Sequence, residues 1–153
     1  MRKKHLLIGG ISLVVILVLC VALVGHDIVT PDDFELSAEV ALTKTTFGAD
    51  DEGPDVSFAE YTLDPNDSMY EALKSCLFHA KYHYSLDTMM EGSTKENIEI
   101  AYDIFFPGTR KVVKIFEDGT IAIHNRYFRI SRDDSYAIVS VLDAIFKNES
   151  HHG

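Results

Sequence analysis

The apolar residues of this 153-residue chain follow three rhythms, and each predicts a different kind of element. Near the start they dominate an uncharged run from Leu6 to Val24, interrupted by Gly9 and Gly10. Further on they alternate with polar residues, as strands require, and in two stretches they recur at helical spacing.

This uncharged run is 19 residues long. As a helix it rises about 28 Å, close to the thickness of a hydrocarbon core. Arg2, Lys3 and Lys4 precede it, and no Asp or Glu appears before Asp27. Positive charge on the N-terminal side alone predicts a single-pass signal-anchor, with residues 1–25 forming the basic cytoplasmic start and the span, and everything from His26 onward outside the cell membrane. The competing reading is a cleaved signal peptide and a secreted domain. Such a peptide has an apolar region of about 7–15 residues ending in small residues. Here the run is longer, and a cut after Gly25 would put Leu23 at the other small-residue position. Cys20 follows Leu19, a poor match to a lipidation site.

Residues 26–33 read as a polar linker containing Pro31, 34–148 as one extracytoplasmic domain and 149–153 as a polar tail. Phe34, Leu36, Ala38, Val40 and Leu42 alternate with partners that are mostly polar, which predicts a first, half-buried strand. Gly48 to Asp55 reads as an acidic turn, and Val56 to Leu63 as a second strand. A helix is expected next, with Asp64 as cap, Pro65 at its first position and Asp67 near the positive dipole end. Its apolar stripe is Met69, Leu73, Cys76, Leu77, Ala80 and Tyr84, and residues 85–96 then read as a loop.

The clearest alternation runs from Ile98 through Ile100, Tyr102, Ile104 and Phe106. With Gly108-Thr109 as the turn, Ile104 faces Val113, Tyr102 faces Ile115, and Asp103 stands opposite Lys114 on the other face. A three-residue turn, Glu117-Asp118-Gly119 with Gly119 left-handed, keeps Ile121 and Ile123 beside Ile115 and Val113; a two-residue turn would exchange the faces. Asn125-Arg126 is expected to close a third hairpin that places Phe128 and Ile130 inward. Ser131, with Asp134 three residues on, begins a last helix whose stripe is Ile138, Val141, Leu142 and Ile145. The predicted fold class is α+β: an N-terminal transmembrane helix, then a small domain of order β-β-α-β-β-β-β-α, with a mostly antiparallel sheet and both helices on one face.

Charge narrows the partners. All 24 Asp and Glu and all but three of the 14 Lys and Arg follow Gly25, so the exported part carries a formal −13 with His neutral. This argues against nucleic acid and against lying flat on anionic lipid. About 128 residues suffice for one domain with a sizeable core. Cys76 is the only cysteine beyond the apolar run, so no internal disulfide forms.

Candidate chemistry is sparse, and no cofactor is implied. Cys76, His79 and His83 have C-x-x-H-x-x-x-H spacing along one side of the expected helix, a possible set of metal ligands. No fourth ligand is indicated, and the stripe turns Cys76 into the core. Asp50, Asp51, Glu52 and Asp55 fail the EF-hand pattern, because Gly48 stands at its first acidic position and Ala59 at its last. There is no G-x-S-x-G and no phosphate-cradling glycine loop. Asn66-Asp67-Ser68 and Asn148-Glu149-Ser150 match the glycosylation acceptor, a motif frequent by chance.

The outer sheet face holds more interest. Phe105, Val112, Phe116 and Tyr127 are expected there among Asp103, Lys114, His124 and Arg129, with His124 and Tyr127 as neighbours. That is more apolar than a free solvent face should be, so either the first two strands or a loop of the chain covers it, or a partner does. The expectation is a binding or regulatory module of the cell envelope, with Phe105, Lys114, Phe116, His124, Tyr127 and Arg129 meeting a protein or peptide partner. The rival is a small extracytoplasmic hydrolase or metal-dependent enzyme. It requires a cleft converging on His79, His83 or His124.

Overall fold

The structure, a computed structural model, describes residues 12–17, 24–50, 53–84, 98–124 and 126–149. Its elements are β1 (His26–Asp27), α1 (Pro31–Glu35), β2 (Val40–Asp50), β3 (Gly53–Leu63), α2 (Tyr70–His79), β4 (Lys81–His83), β5 (Ile100–Phe106), β6 (Lys111–Phe116), β7 (Thr120–Ile123), β8 (Arg126–Ile130) and α3 (Arg132–Glu149). The eight strands form one sheet in the order β1-β4-β8-β7-β6-β5-β2-β3, with every neighbouring pair antiparallel. The domain is α+β.

The meander β5–β8 follows from its alternation. Ile104 pairs with Val113, Tyr102 with Ile115 and Asp103 with Lys114, the expected register, although the loop is four residues, 107–110, and not Gly108-Thr109 alone. Gly119 has φ +82, and Ile121 and Ile123 stand opposite Ile115 and Val113. The last turn falls one residue earlier than expected, since Ile123 pairs with Arg126 and Ile121 with Phe128. Moving a hairpin turn by one residue shifts each partner by two, so every side chain keeps its face. Phe128 and Ile130 are accordingly buried.

A single core lies between the inner sheet face and all three labelled helices. It contains Val40, Leu42, Tyr102, Ile104, Val113, Ile115 and Ile121 from the strands, and Phe34, Leu73, Leu77, Ile138, Leu142 and Ile145 from the helices. Each fully buried aliphatic side chain contributes about 1.5–3 kcal/mol relative to exposure. Ser131 caps α3 as expected, with its Oγ accepting the Asp134 N–H at 3.0 Å.

Four expectations are corrected. The stretch 26–33 is part of the domain, because His26–Asp27 form β1 and Ile28 and Val29 are buried. Phe34 to Leu36 are not strand. Thr30-Pro31-Asp32-Asp33 starts a helix instead: Pro31 sits in the first turn, and the Asp33 carboxylate accepts the Thr30 N–H at 2.8 Å. Residues 48–50 and 53–55 extend the β2–β3 ladder, where an acidic turn was expected from Gly48 to Asp55. Pro54 is tolerated because β3 is an edge strand. The helix after Asp64 begins only at Tyr70, since Asp64 and Asp67 spend their carboxylates on the N–H groups of Asn66 and Met69. It ends at His79, where Ala80 turns extended and leads into β4.

The expected loop 85–96 lies outside the described residues. Most of the Leu6–Val24 run also lies outside them. Within the run, residues 12–17 are helical, and Leu13 to Leu17 are exposed. Among the described residues no helix is long and apolar enough to cross a membrane.

Candidate functional site: the outer face of the sheet

With α1, α2 and α3 all packed on the inner side, the strands present their alternate residues on the opposite face. Pairing sets these residues in rows. One row runs Glu60, Thr43, Asp103, Lys114, Ala122, Tyr127. The next, toward the β5–β6 turn, runs Thr62, Ala41, Phe105, Val112. On the other side, Phe58, Thr45, Ala101 and Phe116 line up.

The exposed apolar side chains of this face are Phe58 at 68%, Val56 at 42%, Val112 at 42%, Phe47 at 40% and Phe105 at 37%. Phe47 and Val56 are themselves a cross-strand pair, as are Phe105 and Val112. Phe116 behaves differently from the expectation that it is an exposed anchor, because only 6% of it is accessible. It pairs with the small Ala101, and its ring meets that of Tyr127 at 6.4 Å across β7, where Ala122 leaves room. Tyr127 is half-buried.

The basic residues of the face separate into two places. Lys114 and His124 share a shallow depression of about 200 Å³ with Arg110, Val112 and Ala122. Lys114 Nζ also meets Asp103 Oδ2 at 3.0 Å. Arg129 pairs with Thr120 and His83 and lines a larger depression of about 510 Å³ with Glu117, Asp118, Arg132 and Tyr136, where charges of both signs mix. His124 and Tyr127 are therefore not directly opposite: Ala122 faces Tyr127, and His124 occupies the turn with φ 50.

Arg110 was not anticipated. The ladder stops at Phe106–Lys111, leaving a four-residue loop whose last member, Arg110, has φ 54. The available signal was the loop itself, since hairpins of this length end in a left-handed residue for which glycine is the usual choice. Phe47 and Phe58 went unassigned for another reason. The alternation Thr43, Thr45, Phe47 continues past the point where the first strand was expected to stop.

The proposed metal ligands are not assembled. Cys76 packs against the core, and burial pushes its thiol pKa up, which keeps it protonated. His79 is exposed at the end of α2, with Nδ1 2.7 Å from the Ser75 carbonyl. His83 lies on β4, beyond the end of the helix. Among the described residues no group of three or more His, Cys, Asp or Glu is placed to hold a metal ion. His79 stands at the end of α2, His83 on β4 and His124 after β7, where it lines the depression shared with Arg110 and Lys114.

The strongest polar constellations brace the fold. Asp33 is 3% exposed and accepts hydrogen bonds from Lys111 Nζ at 2.8 Å and Thr109 Oγ1 at 2.7 Å. Burial alone would raise its pKa, but these bonds and the Thr30 N–H hold it below the ordinary carboxylate value. On the helix side, Asp143 of α3 accepts from Lys44 Nζ and Tyr102 Oη, both at 2.7 Å. Burial again opposes ionisation, and the two donors again hold the carboxyl pKa low. Burial, then the Asp143 carboxylate, push Tyr102 far up.

Comparison of the chain with protein-family models, curated proteins and solved structures finds no match.

Proposed function

We propose that this chain is a single-pass membrane protein with its N-terminus in the cytoplasm, and that its α+β domain, held outside, is a non-enzymatic binding or regulatory module of the cell envelope that takes a protein or peptide partner on its outer sheet face. The observation that carries the reading is the placement of Phe47, Val56, Phe58, Phe105 and Val112, all exposed, on the face opposite the helices. Large apolar side chains on a solvent face are disfavoured unless something buries them, and aromatic anchors dominate interface energetics. The membrane half of the proposal rests on the basic start and the apolar run Leu6–Val24. Because β1 begins at His26, the domain would follow the membrane with almost no spacer.

The test is affinity capture of the full chain from detergent-solubilised envelope, in parallel with a Phe105→Ser, Val112→Ser variant. Both positions are exposed, so the variant should keep its fold. The reading expects specific co-purifying proteins with the parent and their loss with the variant. An identical captured set from both would move the interface away from this face.

A further inference from the structure

Two non-glycine residues in the described structure have positive φ, Arg110 at 54 and His124 at 50. They lie on different loops, one entering β6 and the other leaving β7. The antiparallel pairing of β6 and β7 brings these loops to the same end of the sheet. Both residues line the same depression, whose remaining walls are Val112, Lys114 and Ala122. A left-handed conformation is strained for an L-residue with a long side chain, and glycine would relieve it. Backbone strain of this kind gathers at ligand sites, where the surroundings hold it for the sake of a side chain.

The chemistry of the depression is consistent. Arg110 supplies a planar fork of N–H donors, Lys114 an ammonium and His124 a ring N–H donor. Asp103 occupies one direction of the Lys114 ammonium, which has three donors. Arg110 and His124 make no ion pair among the described residues. The floor, Val112 and Ala122, is apolar, and Val112 continues into exposed Phe105. In a domain with a formal −13, a depression where Arg110 and His124 have no ion-pair partner among the described residues stands out.

We infer that this depression is a carboxylate-binding subsite, taking the Asp or Glu side chain of an acidic peptide segment in a protein partner whose neighbouring apolar residue lies on Val112 and Phe105. The inference rests on the outer-face reading and specifies the partner's chemistry. Arg110 is the principal residue, since a guanidinium pairs bidentately with carboxylate. A bilayer of anionic lipid suits the same donors less well. It would meet the whole face, including Glu60 and Asp103, and the repelling net charge behind it.

The experiment follows backbone amide NMR shifts of the full chain in detergent on titration with acetyl-Leu-Glu-Leu-amide and with its Gln counterpart. The Glu peptide is expected to shift the amides of Val112, Lys114, Ala122 and His124, with the Gln peptide at least about tenfold weaker, as loss of a charge-assisted pair implies. Arg110→Gly should keep or raise Tm, because glycine accepts the positive φ, while weakening the Glu peptide at least about tenfold. Equal binding of the two peptides, or unchanged binding by Arg110→Gly, overturns the subsite. So does a stronger response of the same amides to phosphatidylglycerol vesicles. Partner capture separates this inference from the broader reading. If the Phe105→Ser, Val112→Ser variant loses its partner and Arg110→Gly retains it, the face stands and the subsite falls. If both variants retain it, the face itself is the wrong surface.

Discussion

Asp33 and Lys111 meet at 2.8 Å although 78 residues separate them in sequence, and both side chains are largely buried. The pair ties α1 to the start of β6. The adjoining residues are also in contact: the Gly108 N–H donates to Ser37 Oγ at 3.1 Å, and a Cβ at Gly108 would collide with the Leu36 carbonyl. The loop that ends at Arg110 is thus held against α1 and the residues that follow it.

Removing one partner of a buried pair leaves the other charge uncompensated. Asp33→Ala should therefore cost about 3–5 kcal/mol, and an Asp33→Ala, Lys111→Met double variant less than the sum of the two singles. Chemical denaturation of the full chain in detergent, arranged as a double-mutant cycle, measures the coupling. Additive effects would show that the pair is not coupled.

The same carboxyl predicts an acid limb. Its folded pKa is lowered from 3.8, so its stabilisation is complete above that value and is lost as pH falls toward the folded pKa. Asp143 acts in the same direction. Tm measured from pH 6 downward should drop below about pH 3.8, and Asp33→Asn should flatten that drop while lowering Tm at neutral pH. A parallel curve for the variant would remove Asp33 from the account.

Ile115 and Lys114 are adjacent in β6 but occupy opposite faces. Ile115 is fully buried, so Ile115→Ala should cost about 2–5 kcal/mol. Lys114 is 38% exposed, and Lys114→Ala should cost about 1 kcal/mol or less, even with loss of the Asp103 contact. Similar losses from the two would contradict the register.

The sheet's centre was legible because alternation and turn chemistry agree there: Gly119 had to be left-handed to keep Ile121 beside Ile115. The N-terminal part was misread because the start signal Thr30-Pro31-Asp32-Asp33 runs directly into an alternation that begins at Phe34. Phe34 is buried for a different reason, among the rings of Tyr70, Phe78 and Phe106. The short strands β1 and β4 carry no pattern of their own. They exist because Tyr82 pairs with both His26 and Ile130, a tertiary relationship. Helical spacing places Tyr84 on the helix expected after Asp64, whereas the structure sets its ring against Phe128 at 5.1 Å. For the site, the outer-face identity of Lys114 and Phe105 was visible in the alternation. The burial of Phe116 and the role of Arg110 depend on cross-strand neighbours and loop geometry.

The proposed topology predicts that protease added to spheroplasts digests the chain beyond residue 26 without lysis. Neutralising Arg2, Lys3 and Lys4 should weaken that orientation. Protection until the membrane is dissolved would reverse it.

Site-specific photo-crosslinking in intact cells addresses the outer face most directly. A photoreactive phenylalanine analogue replaces Phe58 or Phe105 on the outer face, or Tyr136, which is 76% exposed on α3 at the helix side. The account predicts discrete higher-mass adducts from positions 58 and 105 and none from 136. Adducts from 136 alone, or the same adducts from all three positions, would contradict it.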